Sequence, residues 1–323
     1  MNQNTFESQS HLSRRTLLSN TAKAAALGAA AHLTATAAAT PKAQSRPRVN
    51  IFSKHLQWLD YKGMAETAAE IGFDGVDLTV RPKGHVEPER VEDDLPRAVE
   101  AVKKAGLRVE MIVSSAGDPR DERTEAILKT AGALGIQYYR MAYFRYDAKR
   151  DIQSQLQEFK PAFRDLAAMN KQYGIAATHQ NHAGDKYVGA ALWDLYYLIH
   201  DLDPRWIGSQ YDIRHATAEG GTTWTVTLRL LSKFINTLAI KDFVWAQNND
   251  KWRTQNLPLG EGMVDFPKFG GMLRQLKIDV PLSLHIEYPI AGADHGARQL
   301  TGDKRIVLNA MRNDLAFCHD LFS

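Results

Sequence analysis

From Val49 onward, short apolar runs alternate with longer segments whose apolar positions recur at helical spacing. The runs Val49–Ser53, Gly75–Val80, Leu107–Val113, Tyr138–Ala142, Ile175–Thr178, Ile207–Asp212, Thr237–Ile240 and Leu282–Ile286 predict eight strands. Several are apolar nearly throughout, as strands buried on both faces must be. Between them the pattern predicts helices over Tyr61–Ile71, Leu95–Ala105, Arg123–Leu134, Ile152–Tyr173, Ala190–His200, Thr225–Leu231, Phe266–Leu276 and Gly302–Leu321. Gly106, Gly135 and Gly174 stand where helices end. A long loop is expected from strand seven to Gly262. Strict alternation of strand and helix predicts an α/β fold with a parallel sheet, and eight strands close a (β/α)8 TIM barrel. An open doubly wound sheet is the alternative. It would carry a glycine-rich phosphate turn after strand one, where this chain reads Lys54-His55-Leu56-Gln57-Trp58.

The first 43 residues follow a different pattern. Ser13-Arg14-Arg15-Thr16-Leu17-Leu18 is a twin-arginine pattern, followed by an alanine-rich stretch from Ala22 to Ala39 with A-x-A options at Ala35-Thr36-Ala37 and Ala37-Ala38-Ala39. This predicts an export leader read by the twin-arginine machinery and a periplasmic destination. The stretch is too short and too weakly apolar for stable membrane insertion. A barrel domain is expected over 44–323, about 280 residues against roughly 250 for a typical single barrel. The leader holds Arg14, Arg15, Lys23 and Lys42 against Glu7, so it accounts for the whole formal charge of +3. The remainder is near neutral, which argues against a nucleic-acid partner. Cys318 is the only cysteine, so no internal disulfide supports the fold. Self-association into a homo-oligomer is compatible with the sequence.

Reactive polar residues gather where the later strands end: Gln180 and His182 after strand five, Asp212 and His215 at strand six, Lys241 and Asp242 at strand seven, Glu287 at strand eight. In a barrel these ends share the C-terminal mouth, where such enzymes build their sites. Paired carboxylates there can hold a divalent cation or divide acid and base work. Lys241 could stabilise a developing oxyanion, and His182 and His215 titrate near neutrality. Bland readings stand beside these. Lys241-Asp242 could be a rim ion pair. His285 reads as a hydrogen-bonded core residue, and His179 should face the helices. Arg140 could pair with Glu110 inside the barrel or reach a substrate. Trp58, Trp224 and Trp245 fall in segments expected at the mouth and could stack on a sugar, although tryptophans more often pack in cores or interfaces.

The chain resembles the sugar phosphate isomerase/epimerase group, the xylose isomerase-like barrels. The resemblance rests on Gly72-Phe73-Asp74-Gly75-Val76-Asp77-Leu78, Gly106-Leu107-Arg108-Val109, Lys241-Asp242, Leu259-Gly260-Glu261-Gly262-Met263-Val264-Asp265-Phe266 and Ile286-Glu287, in that order. It implies a small-molecule carbohydrate substrate and a divalent metal (Mn, Co, Mg or Zn). The family holds the metal through Glu, Asp, His and Glu on strands five to eight. Here those positions read Gln180, Asp212, Ala239 and Glu287, so the implied metal ligands are Gln180, Asp212 and Glu287. One carboxylate has become an amide and the imidazole is gone, which weakens metal affinity; His182 or His285 is the remaining nitrogen donor. Gln180 cannot take a proton, so the family's exchange between two glutamates is not available. Glu287 is left as the base for a C–H beside a carbonyl. An isomerase or epimerase reaction, a β-elimination on a keto-glycoside, or sugar binding without catalysis all follow from the resemblance. Endonucleases that share this barrel need several zinc ions and a basic groove; the near-neutral charge beyond the leader, the depleted ligand set and the export signal argue against that reading.

Overall fold

The computed structural model describes residues 47–322; the expected leader lies outside the described residues. Eight parallel strands close a barrel: β1 (Val49–Phe52), β2 (Gly75–Val80), β3 (Arg108–Ser114), β4 (Tyr138–Arg140), β5 (Ala176–Gln180), β6 (Ile207–Asp212), β7 (Ile235–Ile240) and β10 (Leu282–Leu284). Closure comes from β10 pairing with both β7 and β1, with Leu282 beside Leu238 and beside Val49. The intervening helices pack outside: α1 (Tyr61–Ile71), α2 (Val91–Lys104), α3 (Glu122–Ala133), α4 (Ile152–Tyr173), α5 (Trp193–Ile199), α6 (Ile213–Gly220), α7 (Trp224–Leu231), α8 (Phe266–Leu276) and α9 (Lys304–Phe322). Aspartates start several of them: Asp60, Asp121, Asp151, Asp212 and Asp265 each accept a first-turn backbone N–H. No helix among the described residues is long and apolar enough to cross a membrane.

The strands are buried along nearly their whole length, with Arg108 at the start of β3 exposed, because the barrel interior covers one face and the helices the other. At β2 the backbones come unusually close. A Cβ on Gly75 would stand 2.2 Å from Asn50 Oδ1 and 2.5 Å from the Arg108 carbonyl oxygen, so only glycine fits. At the N-terminal end of the barrel Arg48 pairs with Glu110 at 2.7 Å. Glu110 is therefore not the partner of Arg140, which lies at the other end.

The segment after β7 is not the expected open loop. Asp242–Asn248 (β8) and Lys251–Leu257 (β9) form an antiparallel hairpin that rises from the mouth, its turn made by Asn249 and Asp250 in the left-handed region. Both types favour that backbone, which is why the turn closes without glycine. At the hairpin's base the Asp242 carboxylate accepts from four amides: Phe243 and Val264 at Oδ1, Gly260 and Gly262 at Oδ2, over 2.8–3.2 Å. A Cβ on Gly262 would come within 2.2 Å of Asp242 Oδ1, so this wrap requires glycine. Asp242 thus organises the loop and does not pair with Lys241.

Helix α9 closes the ring and anchors the same loop. Asp314 accepts from the Leu259 amide at 3.2 Å and from the Tyr288 hydroxyl at 3.0 Å. Burial pushes its carboxyl up to about 7. A carboxyl whose folded pKa lies above its unfolded value near 4 contributes stability at low pH that is lost as pH rises through the folded pKa. Asp314→Asn can still accept from the Leu259 amide and can donate its NH2 to the Tyr288 oxygen, and it should flatten the stability–pH curve between about pH 4 and 7, by about 1 kcal/mol or more. Urea unfolding across that range measures it, and an unchanged slope would refute the buried, proton-holding carboxyl. Asp242→Ala removes two acceptor oxygens and the four hydrogen bonds they take, and should lower stability by about 2–3 kcal/mol; the urea midpoint and faster proteolytic cutting within 258–264 are the readouts.

Candidate active site

Chemistry-bearing side chains converge at the C-terminal mouth because one residue of each strand end points inward. Asp212, the last residue of β6, is fully buried and also caps α6 by accepting the His215 amide at 3.0 Å. Its backbone is clamped by Asn181, which accepts from Asp212 N at 2.7 Å and donates to Asp212 O at 3.0 Å. Lys241, 3% exposed, extends inward from the end of β7. Its Nζ lies 3.1 Å from Asp212 Oδ2 and 3.2 Å from Glu287 Oε2. Lys54, just past β1, holds the other Glu287 oxygen at 3.1 Å.

Glu287 lies beyond the last hydrogen-bonded residue of β10 and is positioned by His55. The Ile286 amide donates to His55 Nε2 at 2.9 Å, so the imidazole proton sits on Nδ1 and donates to the Ala293 carbonyl at 3.2 Å. Burial, with Lys54 adding to it, pushes His55 down to about 3, and this neutral tautomer persists at working pH. The Glu287 side chain is 25% exposed and reaches the open mouth. Burial alone would raise its pKa, but Lys241 and Lys54 outweigh that and hold it well below the usual carboxylate range. For Lys241 burial opposes the charge, while Asp212 and Glu287 more than compensate and raise its pKa.

Gln180, the last residue of β5, is locked in one orientation. Its Oε1 accepts from Arg140 Nη1 at 2.8 Å and from the Tyr143 hydroxyl at 2.7 Å; its Nε2 donates to Asp212 Oδ2 at 2.8 Å. His182 and His215 stack with ring centres 4.2 Å apart. Desolvation lowers both pKa values, so both rings are neutral near pH 7. His215 Nε2 lies 3.7 Å from Asp212 Oδ2, and His215 belongs to α6 rather than to a loop. Arg214 spans to Asn256 Oδ1 with two nitrogens and covers Phe243, and Asn256 donates to the Glu287 carbonyl at 3.3 Å. The hairpin is thereby tied to the mouth.

The residues expected to hold a divalent metal, Gln180, Asp212 and Glu287, are brought together, yet their donors do not fit one. The Gln180 oxygen faces two hydrogen-bond donors, and an ammonium group lies between the two carboxylates. No group of three His, Cys, Asp or Glu side chains able to hold a metal converges among the described residues. The family expectation of a divalent metal thus meets, in this chain, a site that already carries its own cation.

Other expectations need correction. Trp224 is core, edge-on to Phe269 between α7 and α8, where β6 turns Tyr211 outward; it is not at the mouth. Trp58 packs on the core and donates to the His55 carbonyl. Trp245 is half-exposed on the hairpin, and opposite register places exposed Trp252 on the same face, which also carries Asn256. His179 faces Phe144 and Phe163 and bonds the Val188 carbonyl, as alternation predicts. His285 is buried, stacked on Phe52 and bonded to Ser283. Lys54, Arg81, Tyr143, Arg214 and Asn256 were not anticipated. Lys54 and Arg81 directly follow strands, a placement that could have marked them; Tyr143 and Asn256 lie in segments with no periodic signal.

Solved structures with this fold include D-psicose 3-epimerase from Clostridium cellulolyticum H10 (12% identity, 86% of this chain and 99% of that one, TM-score 0.61). Two others are 3-keto-D-glucoside 4-epimerase from E. coli (15%, 85% and 100%, 0.58) and a probable 3-DHS dehydratase from Bacillus anthracis (16%, 82% and 97%, 0.60). At these identities the likeness is one of fold. A comparison with curated proteins gives no significant match. The family model described as xylose isomerase-like TIM barrel matches residues 65–302, from within α1 to past Glu287, and the chain belongs to that family.

Proposed function

We propose that this protein is a carbohydrate-modifying enzyme of the isomerase/epimerase type that begins by abstracting a proton next to a carbonyl of a keto or otherwise non-phosphorylated sugar. The observation that carries this reading is Glu287, a carboxylate that reaches the open mouth with an ammonium group on each oxygen. In the free site both lysines lower its basicity. A substrate oxygen that takes over one of these ammonium groups would return basicity to Glu287 and place that cation on the developing enediolate. Lys241 would then supply, from the protein itself, the positive charge that a metal supplies elsewhere. The neighbours named as D-psicose 3-epimerase and 3-keto-D-glucoside 4-epimerase support the substrate class, and the one named as a probable 3-DHS dehydratase supports keeping elimination beside it.

Gln180 donates to Asp212, and its amide oxygen, held by Arg140 and Tyr143, is no proton acceptor, so two-sided exchange between carboxylates has no second base at this position. One base suits transfer on a single face, as in an aldose–ketose shift, or β-elimination, where the same abstraction expels a leaving group. Tyr143 and His182 stand beside Gln180 and could move a proton between sugar oxygens. Trp245, on the hairpin face tied to the mouth, is suited to cover a bound sugar.

Incubation in D2O with keto-sugars and keto-glycosides should wash deuterium into one carbon-bound position, read by NMR. Glu287→Gln should reduce this at least 1,000-fold while the melting curve stays cooperative; near-normal exchange would remove Glu287 as the base. Export completes the reading: changing Arg14-Arg15 to two lysines should retain the protein in the cytoplasm, and fractionation that still finds it in the periplasm would refute a twin-arginine route.

A further inference from the structure

The mouth contains more positive charge than the proton-abstracting groups use. Lys54, Arg81, Arg140, Arg214 and Lys241 gather around two carboxylates, Asp212 and Glu287, and the two lysines already occupy those. Arg214 has its fork filled by Asn256. Arg81 and Arg140 have no carboxylate partner among the described residues. They lie on the β2–β4 side, with guanidinium carbons 5.5 and 5.9 Å from the centre of the Phe52 ring, and Lys54 Nζ is 5.4 Å from the same point. Arg140 is only 8% exposed, its Nε has no hydrogen-bond partner, and its one side-chain bond goes to the neutral Gln180 amide. Asp77 acts on both arginines through space, but its carboxylate is bonded to Ser283 at 2.6 Å and to neither of them. A buried guanidinium with no carboxylate in contact, as Arg140 is, is electrostatically unfavourable, and a bound anion relieves this.

Resting on the proton-abstraction reading of the same mouth, we infer that the substrate is a sugar acid whose carboxylate is held by Arg81 and Arg140, leaving its carbonyl-bearing end to Glu287 and Lys241. Two planar forks match a carboxylate's two oxygens. A phosphate is less well served. Barrels of this kind commonly seat phosphate on backbone amides of the loops after the last two strands. Here the amides of Phe243, Gly260, Gly262 and Val264 after β7 already donate to Asp242.

The test is calorimetry on the full barrel chain with hexuronates, aldonates and keto sugar acids, each beside the neutral sugar of the same skeleton, and with inorganic phosphate. At least one acid should bind tenfold or more tightly than its neutral counterpart. Arg81→Gln should cancel that preference without changing affinity for the neutral sugar, Arg81→Lys should restore part of it, and Arg140→Gln should reduce it as well. No acid preferred over its neutral counterpart, a preference that survives both glutamine variants, or phosphate binding more tightly than every acid would each overturn the proposal. Acid binding without deuterium exchange would leave the subsite standing and remove the catalytic reading; exchange confined to neutral sugars would do the reverse.

Discussion

The Lys241 ammonium group, buried between Asp212 and Glu287, sets the electrostatics of the whole mouth. Two carboxylates this close, one of them fully buried, could not both stay ionised without a cation, and an ammonium group as deeply buried could not stay charged without both. The rest of the site is arranged around this triad. Gln180 gives Asp212 a neutral hydrogen bond where a third carboxylate would have demanded another cation. Asn181 clamps the Asp212 backbone, and His55 fixes the segment that carries Glu287. Each is a neutral group placed where a charge would upset the balance.

That balance explains why the family's metal expectation and this chain's donors diverge. One carboxylate and one imidazole fewer than the implied ligand set lower the attraction for a divalent ion, and Lys54 and Lys241 already pair with the carboxylates that remain.

The barrel frame imposes its own constraint. Asp212 serves at once as strand end, helix cap and charged ligand of Lys241, so its position cannot drift without loosening α6. Asp242, the next residue after Lys241, points the opposite way and gathers four amides. Adjacent residues at a strand end thus serve different purposes, one inward and chemical, the other outward and architectural. The hairpin that follows is held to the mouth through Arg214 and Asn256.

The order of eight strands was legible because burial on both faces forces continuous apolar runs, and that requirement is local. The gathering of Gln180, His182, Asp212, Lys241 and Glu287 followed from it, since all of them end or follow strands. Hairpin β8–β9 was not legible: beyond its buried base at Asp242 and Phe243 it is mostly exposed or half-exposed, so no regular apolar alternation marks it, and its turn uses Asn249 and Asp250 without glycine. Trp224 was misplaced because a helix's first residue can face the core or the mouth, and only the packing of Phe269 chose. The amino-acid sequence alone determined the barrel and the residue types at its rim. Which oxygen meets which nitrogen, that Lys241 stands between carboxylates and that Arg81 and Arg140 stand without one, was decided only when strands far apart in the chain closed into a ring, because charge pairing depends on distance in space and not on spacing along the chain.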